Sequence, residues 1–201
     1  SQSFIQFDHP VLGIREQVAI KTPNNFFIAI SGAGRIYQQI AETDSLLYFK
    51  RIDDNENINY NLGAFYFSSG ETVFNHGGYG FWKTNGTVRG FNFKDGEWDV
   101  FPNNIEVFNP IFPSSSWFDV SKNALYIPYQ QLINSGLKGF QSAAGTVIDG
   151  VMYLDCKTWD WLHIGKVRSN YLNILKSSYI NVFNESLYFV SDGEDVYLFN
   201  F

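Results

Sequence analysis

The feature that most constrains this chain is a recurrence. Short apolar runs come in pairs joined by a tight polar turn, and the pair appears four times. The copies are "EQVAIKTPNNFFIAISGAG" (16–34), "GAFYFSSGETVFNHGGYG" (63–80), "SWFDVSKNALYIPYQQL" (116–132) and "SYINVFNESLYFVSDG" (178–193). Each reads as strand, turn, strand, because the turns "KTPNN", "SSGET", "VSKNA" and "NES" supply the Pro, Gly, Asn and Ser that tight reversals need. A third run follows every pair: "GRIYQQI", "TVRGFNF", "GVMYLDC" and "DVYLFNF". A fourth follows three of them: "SLLYFKRI", "EWDVFP" and "WDWLHIG". Phe27, Phe74, Tyr126 and Tyr188 mark the second runs at intervals of 47, 52 and 62 residues, and the unevenness falls in loops. Repeats of this length are sheets that stack on one another, since one such unit cannot bury both of its faces alone.

Composition agrees with strands. Phe, Tyr and Trp number 20, 12 and 5, and β-structure favours them. Helix signals are confined to 127–140, where one short turn fits before Gly136. The reading is therefore all-β: a single β-propeller domain over 1–201 made of four four-stranded antiparallel blades. The blades are approximately 16–52, 63–102, 116–165 and 178–201 plus 3–8. In this reading "SFIQF" pairs antiparallel with "DVYLFNF" and completes the last blade, so that no sheet edge is left open. The alternative is a fragment of a larger propeller.

Within that frame, residues 72–101 resemble a kelch repeat. The apolar strand ends in the doublet Gly77–Gly78, a later strand carries Phe91 and Phe93, and Trp98 opens the last strand. The third unit keeps Tyr153 and Trp161 in the corresponding places; the first has Gly32 and Gly34 and no Trp; the fourth has only Gly193. The resemblance implies a propeller whose glycines take positive φ at the end of the second strand and whose tryptophans bury between neighbouring blades. Kelch rings have more than four blades, and this supports the fragment alternative.

Several function classes are excluded or unsupported. Net charge is −6 with no basic run, which argues against nucleic acid and against adsorption to an anionic membrane. No apolar run reaches the ~18 residues of a membrane span. The single cysteine, Cys156, allows no intrachain disulfide and reads as a small buried hydrophobe. The start "SQSFIQF" reads as a processed chain or an excised piece, and low Cys with high Asn suits a periplasmic or extracellular protein. His9, His76 and His163 follow no metal-ligand spacing, "DDNEN" lacks the pattern of a calcium loop, and no cofactor or catalytic motif is present.

What remains is a surface. In an up-and-down blade the first-to-second and third-to-fourth turns share one side, and these are short here. The long connections, 53–62, 76–86, 102–116, 130–149 and 166–178, fall on the other side. Connections of that kind carry function. The expected ligand-binding residues are His76, Tyr79, Trp82, Arg35, Arg89, Gln141 and Tyr171. Tyr79 and Trp82 serve as aromatic anchors, and Arg35 and Arg89 open third strands where a guanidinium can hold an anion. The expected role is a non-catalytic module that binds a protein or glycan. One alternative is a hydrolase or lyase with a polar pocket around His76 and Arg89. Another is a structural part of a larger surface protein.

Overall fold

The computed structural model describes residues 4–7, 17–44, 46–54, 61–80, 83–109, 116–132, 146–148, 150–168, 179–184, 187–191 and 196–199. Among them all regular structure is strand. In chain order the strands are β1 (Phe4–Phe7), β2 (Gln17–Lys21), β3 (Phe26–Ile30), β4 (Arg35–Glu42), β5 (Leu46–Arg51), β6 (Phe65–Ser69) and β7 (Thr72–His76). Next come β8 (Tyr79–Gly80), β9 (Lys83–Thr84), β10 (Val88–Asn92), β11 (Glu97–Phe101), β12 (Trp117–Asp119), β13 (Ala124–Ile127) and β14 (Gln130–Leu132). The last are β15 (Thr146–Ile148), β16 (Gly150–Asp155), β17 (Asp160–Lys166), β18 (Tyr179–Asn184), β19 (Leu187–Ser191) and β20 (Val196–Phe199).

Four antiparallel meanders result: β2-β3-β4-β5, β6-β7-β10-β11, β12-β13-β16-β17 and β18-β19-β20. They are the four repeats of the sequence. The first strands of neighbouring sheets approach one another, β2 against β6 and β12 against β18. An open groove of about 270 Å³ runs among Lys21, Phe65, Phe67, Trp117 and Val120, all on or beside the first strands of three sheets.

Alternation along each strand sends successive side chains to opposite neighbours. In β7, Val73 joins Ile20, Phe27, Ala29 and Ile36 of the first sheet. The next residue, Phe74, joins Leu125, Ile127, Met152 and Leu154 of the third. Phe67 stacks on Phe74 and on Phe118 of the third sheet, with ring centroids 5.4 and 5.0 Å apart. Fully burying side chains of this size contributes about 1.5–3 kcal/mol each, so the inter-sheet layers supply most of the cohesion. Trp117, Ala124 and Tyr126 form a further cluster on the opposite face of the third sheet.

Polar contacts fix how the sheets sit. The Trp98 indole N–H, on β11, donates to the Gly34 carbonyl of the first sheet at 2.8 Å. Gly32, Gly34, Gly77 and Gly78 all have positive φ, as the kelch resemblance implies. At Gly78 a Cβ would stand 2.9 Å from the Asn61 carbonyl, so the doublet is required by space as well as by backbone. Residues just past the outer strands β5 and β11 reach the next sheet. The Asp54 N–H donates to Gly96 at 3.0 Å. The Asn104 amide donates to the Trp161 carbonyl at 3.0 Å and accepts from the Trp161 N–H at 2.8 Å. Asn103 donates to the Trp159 carbonyl at 2.9 Å. These amides behave as a short substitute strand along the outer edge of β17, an edge that would otherwise offer unpaired backbone.

Two expectations are corrected. The N-terminal segment does not pair with β20. β1 lies parallel to β5, with Phe4 opposite Leu46 and Phe7 opposite Phe49, as a fifth strand on the first sheet. An apolar extended run specifies a strand but not which exposed edge it joins. The short helix expected within 127–140 is in part strand, because β14 pairs antiparallel with β15. The 94–96 turn of the second sheet meets Asp54 at the start of the 53–62 connection. Twist accumulated across four strands carries the outer strand of one sheet across its neighbour.

The Asn104 substitute strand is testable. Asn104→Ala strands both backbone groups of the buried Trp161 and is expected to cost about 1–3 kcal/mol in urea unfolding. Asn104→Asp, which keeps only the acceptor, should fall between the two. Loss of less than ~0.5 kcal/mol in the alanine variant would show that the edge is held by packing alone.

Candidate functional site

The long-connection side is built, not merely long. The connection from the second to the third strand forms its own ladder in two sheets. In the second sheet Tyr79 and Gly80 pair with Thr84 and Lys83. In the third, Gln130 to Leu132 pair with Ile148 to Thr146. The two ladders meet, β14 against β9. The 102–109 segment is tied to them where the Phe108 N–H donates to Gln130 Oε1 at 3.2 Å. Tyr79 is half-buried, and its backbone is locked by reciprocal hydrogen bonds with Leu62 of 3.0 and 2.9 Å. The result is a raised ledge over the second and third sheets, carried on short ladders.

Of the expected site residues, Trp82, Gln141 and Tyr171 lie outside the described residues. Arg35 and Arg89 are both half-buried and hold matching places, opposite the last inward positions of their second strands, Ile30 and Asn75. His76 is corrected. It is fully buried, with Nε2–H donating to the Val107 carbonyl at 2.7 Å and its ring 5.0 Å from Trp161. Nδ1 has no partner, so a second proton would be a buried donor without an acceptor. Burial accordingly lowers its pKa from 6.5 to about 4. A neutral imidazole with no exposed surface is a packing residue, which removes His76 from a polar pocket.

Cys156 is buried, as expected, and burial pushes its thiol up to about 12. Among the described residues no group of His, Cys, Asp and Glu is placed to hold a metal ion. Also among them, no helix is long and apolar enough to cross a membrane.

Sequence reading missed a cluster in the first sheet. Arg51, at the end of β5, stands opposite Tyr37 of β4. Its guanidinium forks onto Asp53, Nη2 to Oδ1 at 2.8 Å and Nε to Oδ2 at 3.1 Å. Asp53 also accepts the Ile36 N–H at 2.9 Å. Arg35 faces the same Tyr37 hydroxyl. Burial holds the Tyr37 phenol above its ordinary value, against the pull of both arginines. Arg51 and Asp53 are two residues apart, and pairing register brings Tyr37 to them.

The short-turn side carries a groove of its own. A groove of about 360 Å³ lies between the 22–25 turn and residues 39–42, with Ile40 61% exposed in its wall. Its cause is β4, which runs past the turn after a bulge between Gln39 and Ala41.

No known protein family and no curated protein matches the sequence. Among solved structures the chain is similar to one titled "Structure of YjhT", with a TM-score of 0.64 at 10% identity over 92% of this chain. The fold is a β-propeller. The match spans 58% of the neighbour's chain, so that protein carries further residues beyond the four sheets aligned here.

Two outcomes test the site chemistry. Because the His76 pKa is depressed to about 4 in the folded state, the unfolded chain binds a proton below pH 6.5 that the native state refuses. The stability tied to this group is full above pH 6.5 and is lost progressively down to pH 4, to a total of ~3 kcal/mol. NMR titration should leave the His76 ring resonances unmoved from pH 7.5 to about 5; movement centred near 6.5 would refute its burial. Native protein should not react with a thiol reagent at pH 8, and unfolded protein should react once per chain.

Proposed function

We propose that this propeller is a non-catalytic binding module that recognises a protein or glycan through its long-connection face. The observation that carries the reading is the pair of adjoining ladders, β8–β9 and β14–β15. Short connections would close these sheets equally well, as 22–25 and 156–159 do on the other side. Extra chain that forms its own ladders and packs them together makes a stiff, raised platform. A stiff platform loses little conformational entropy on binding. Tyr79 is half-buried at the base of one ladder and serves as an anchor; Arg35 and Arg89 border the same side. Asn, Gln and Ser around a few aromatics give the composition of an adaptable recognition surface.

The enzyme alternative placed His76 and Arg89 in a polar pocket, and the burial of His76 takes one of the two from it. A structural role in a larger surface assembly needs no anchor residues and separates from the binding reading by mutation. A partner is first identified by affinity capture or a glycan array with the intact chain. Tyr79→Ala is then expected to weaken binding at least tenfold with the melting temperature within ~2 °C of the parent. Val120→Ser, in the first turn of the third sheet, should change neither. Equal loss of binding and of melting temperature in Tyr79→Ala would make Tyr79 a packing residue and overturn the reading.

A further inference from the structure

We propose that Arg35 and Arg51 of the first sheet form a site for an oxyanionic group carried on a glycan. This deepens the binding reading above and rests on it for the glycan. The anion site itself rests on geometry.

Arg35 opens β4 and Arg51 closes β5, so both stand at the long-connection end of the first sheet. Both lie on the sheet face turned away from the second sheet, the face of Ile28, Ile30 and Tyr37. Tyr37 is fully buried and stands opposite Arg51, and Arg35 lies two residues before it on the same face, so the two like charges are diagonal neighbours about one rigid ring. Such an arrangement costs free energy in the absence of a counter-charge. Asp53 supplies part of it, and its side chain is itself fully buried and committed to Arg51 and to the Ile36 N–H. Asp54 also acts on Arg51, but its carboxylate lies against Gly96 of the second sheet. Among the described residues Arg35 makes no ion pair.

The chemistry follows from this asymmetry. Arg51 is fixed at two nitrogens by the Asp53 fork and is preoriented. Arg35 is half-buried, planar and uncompensated, and a fork of N–H donors matches two oxygens of a sulfate or carboxylate. In a chain of net charge −6 a local cationic pair is an exception to the general field. It selects an anion at short range, where long-range attraction is absent. The site is partly open, with Arg35 half-buried after the short 31–34 connection and Arg51 23% exposed at the start of the 53–62 connection. That suits an anionic substituent on a larger polar ligand better than a deeply enclosed ion.

The test uses the intact chain with labelled arginine side chains, whose Nε–Hε resonances report Arg35 and Arg51 separately. Sodium sulfate is titrated against sodium chloride at matched ionic strength. The expected result is a saturable shift of both resonances with sulfate only. In Arg35→Gln, affinity should fall at least tenfold with the melting temperature retained. Arg35→Lys, which keeps the charge and loses the fork, should lie between. A response equal in chloride, or unchanged in Arg35→Gln, means an adventitious ion only and overturns the site. A sulfated and an uncharged disaccharide form the second arm. Tighter binding of the sulfated sugar than of inorganic sulfate supports the glycan. Sulfate binding with no gain from the sugar leaves the anion site standing and overturns the glycan assignment.

Discussion

Every other property of this fold depends on the two-sidedness of its sheets. The first three meanders are each apolar on both faces, because alternate residues along one strand serve two different neighbours. Val73 and Phe74 are adjacent in sequence and belong to separate cores. A sheet with two apolar faces has no stable existence alone in water. Stacking is therefore the condition of folding, and hydrogen bonds only decide the geometry of the stack. That division of labour is visible at Trp98, whose ring packs on Tyr66 and Phe91 while its N–H selects one carbonyl in the preceding sheet. Apolar area supplies the attraction, and single polar contacts set the register.

The architecture was legible because its signals are local. A tight turn, a two-residue period and a recurring tryptophan are all written within a dozen residues. The fifteen strands of the four meanders fall on the runs read from the sequence. Partner choice was not legible. "FIQF" reads correctly as a strand, yet it lies parallel to β5 and not against β20, because backbone pairing is indifferent to sequence and any apolar edge suits it. The small ladders within the long connections were also missed. Two or three residues such as "YG", "KT" or "QQL" are too few for a period to appear.

The candidate site divides along the same line. The two arginines were named from the starts of third strands, and Tyr79 as an aromatic in a long connection that proves to hold the short strand β8. His76 was named from its residue type, and its environment cancels the chemistry of that type. The Arg51–Asp53 fork spans only two residues, but its relation to Tyr37 arises from pairing across β4 and β5. Site chemistry in a stacked-sheet protein is assembled across strands, so single-strand signals find its members one at a time and its combinations not at all.

The contacts made by Asp54, Asn103 and Asn104 have a consequence for how such a chain can be lengthened or shortened. Each is encoded at the tail of one sheet and used on the outer edge of the next. The self-sufficient hereditary unit is therefore not a sheet as drawn in space. It is a sheet together with the tail of its predecessor. A duplication or deletion that respects sheet boundaries would separate an edge from the residues that cover it, whereas one cut upstream of the tail would carry both.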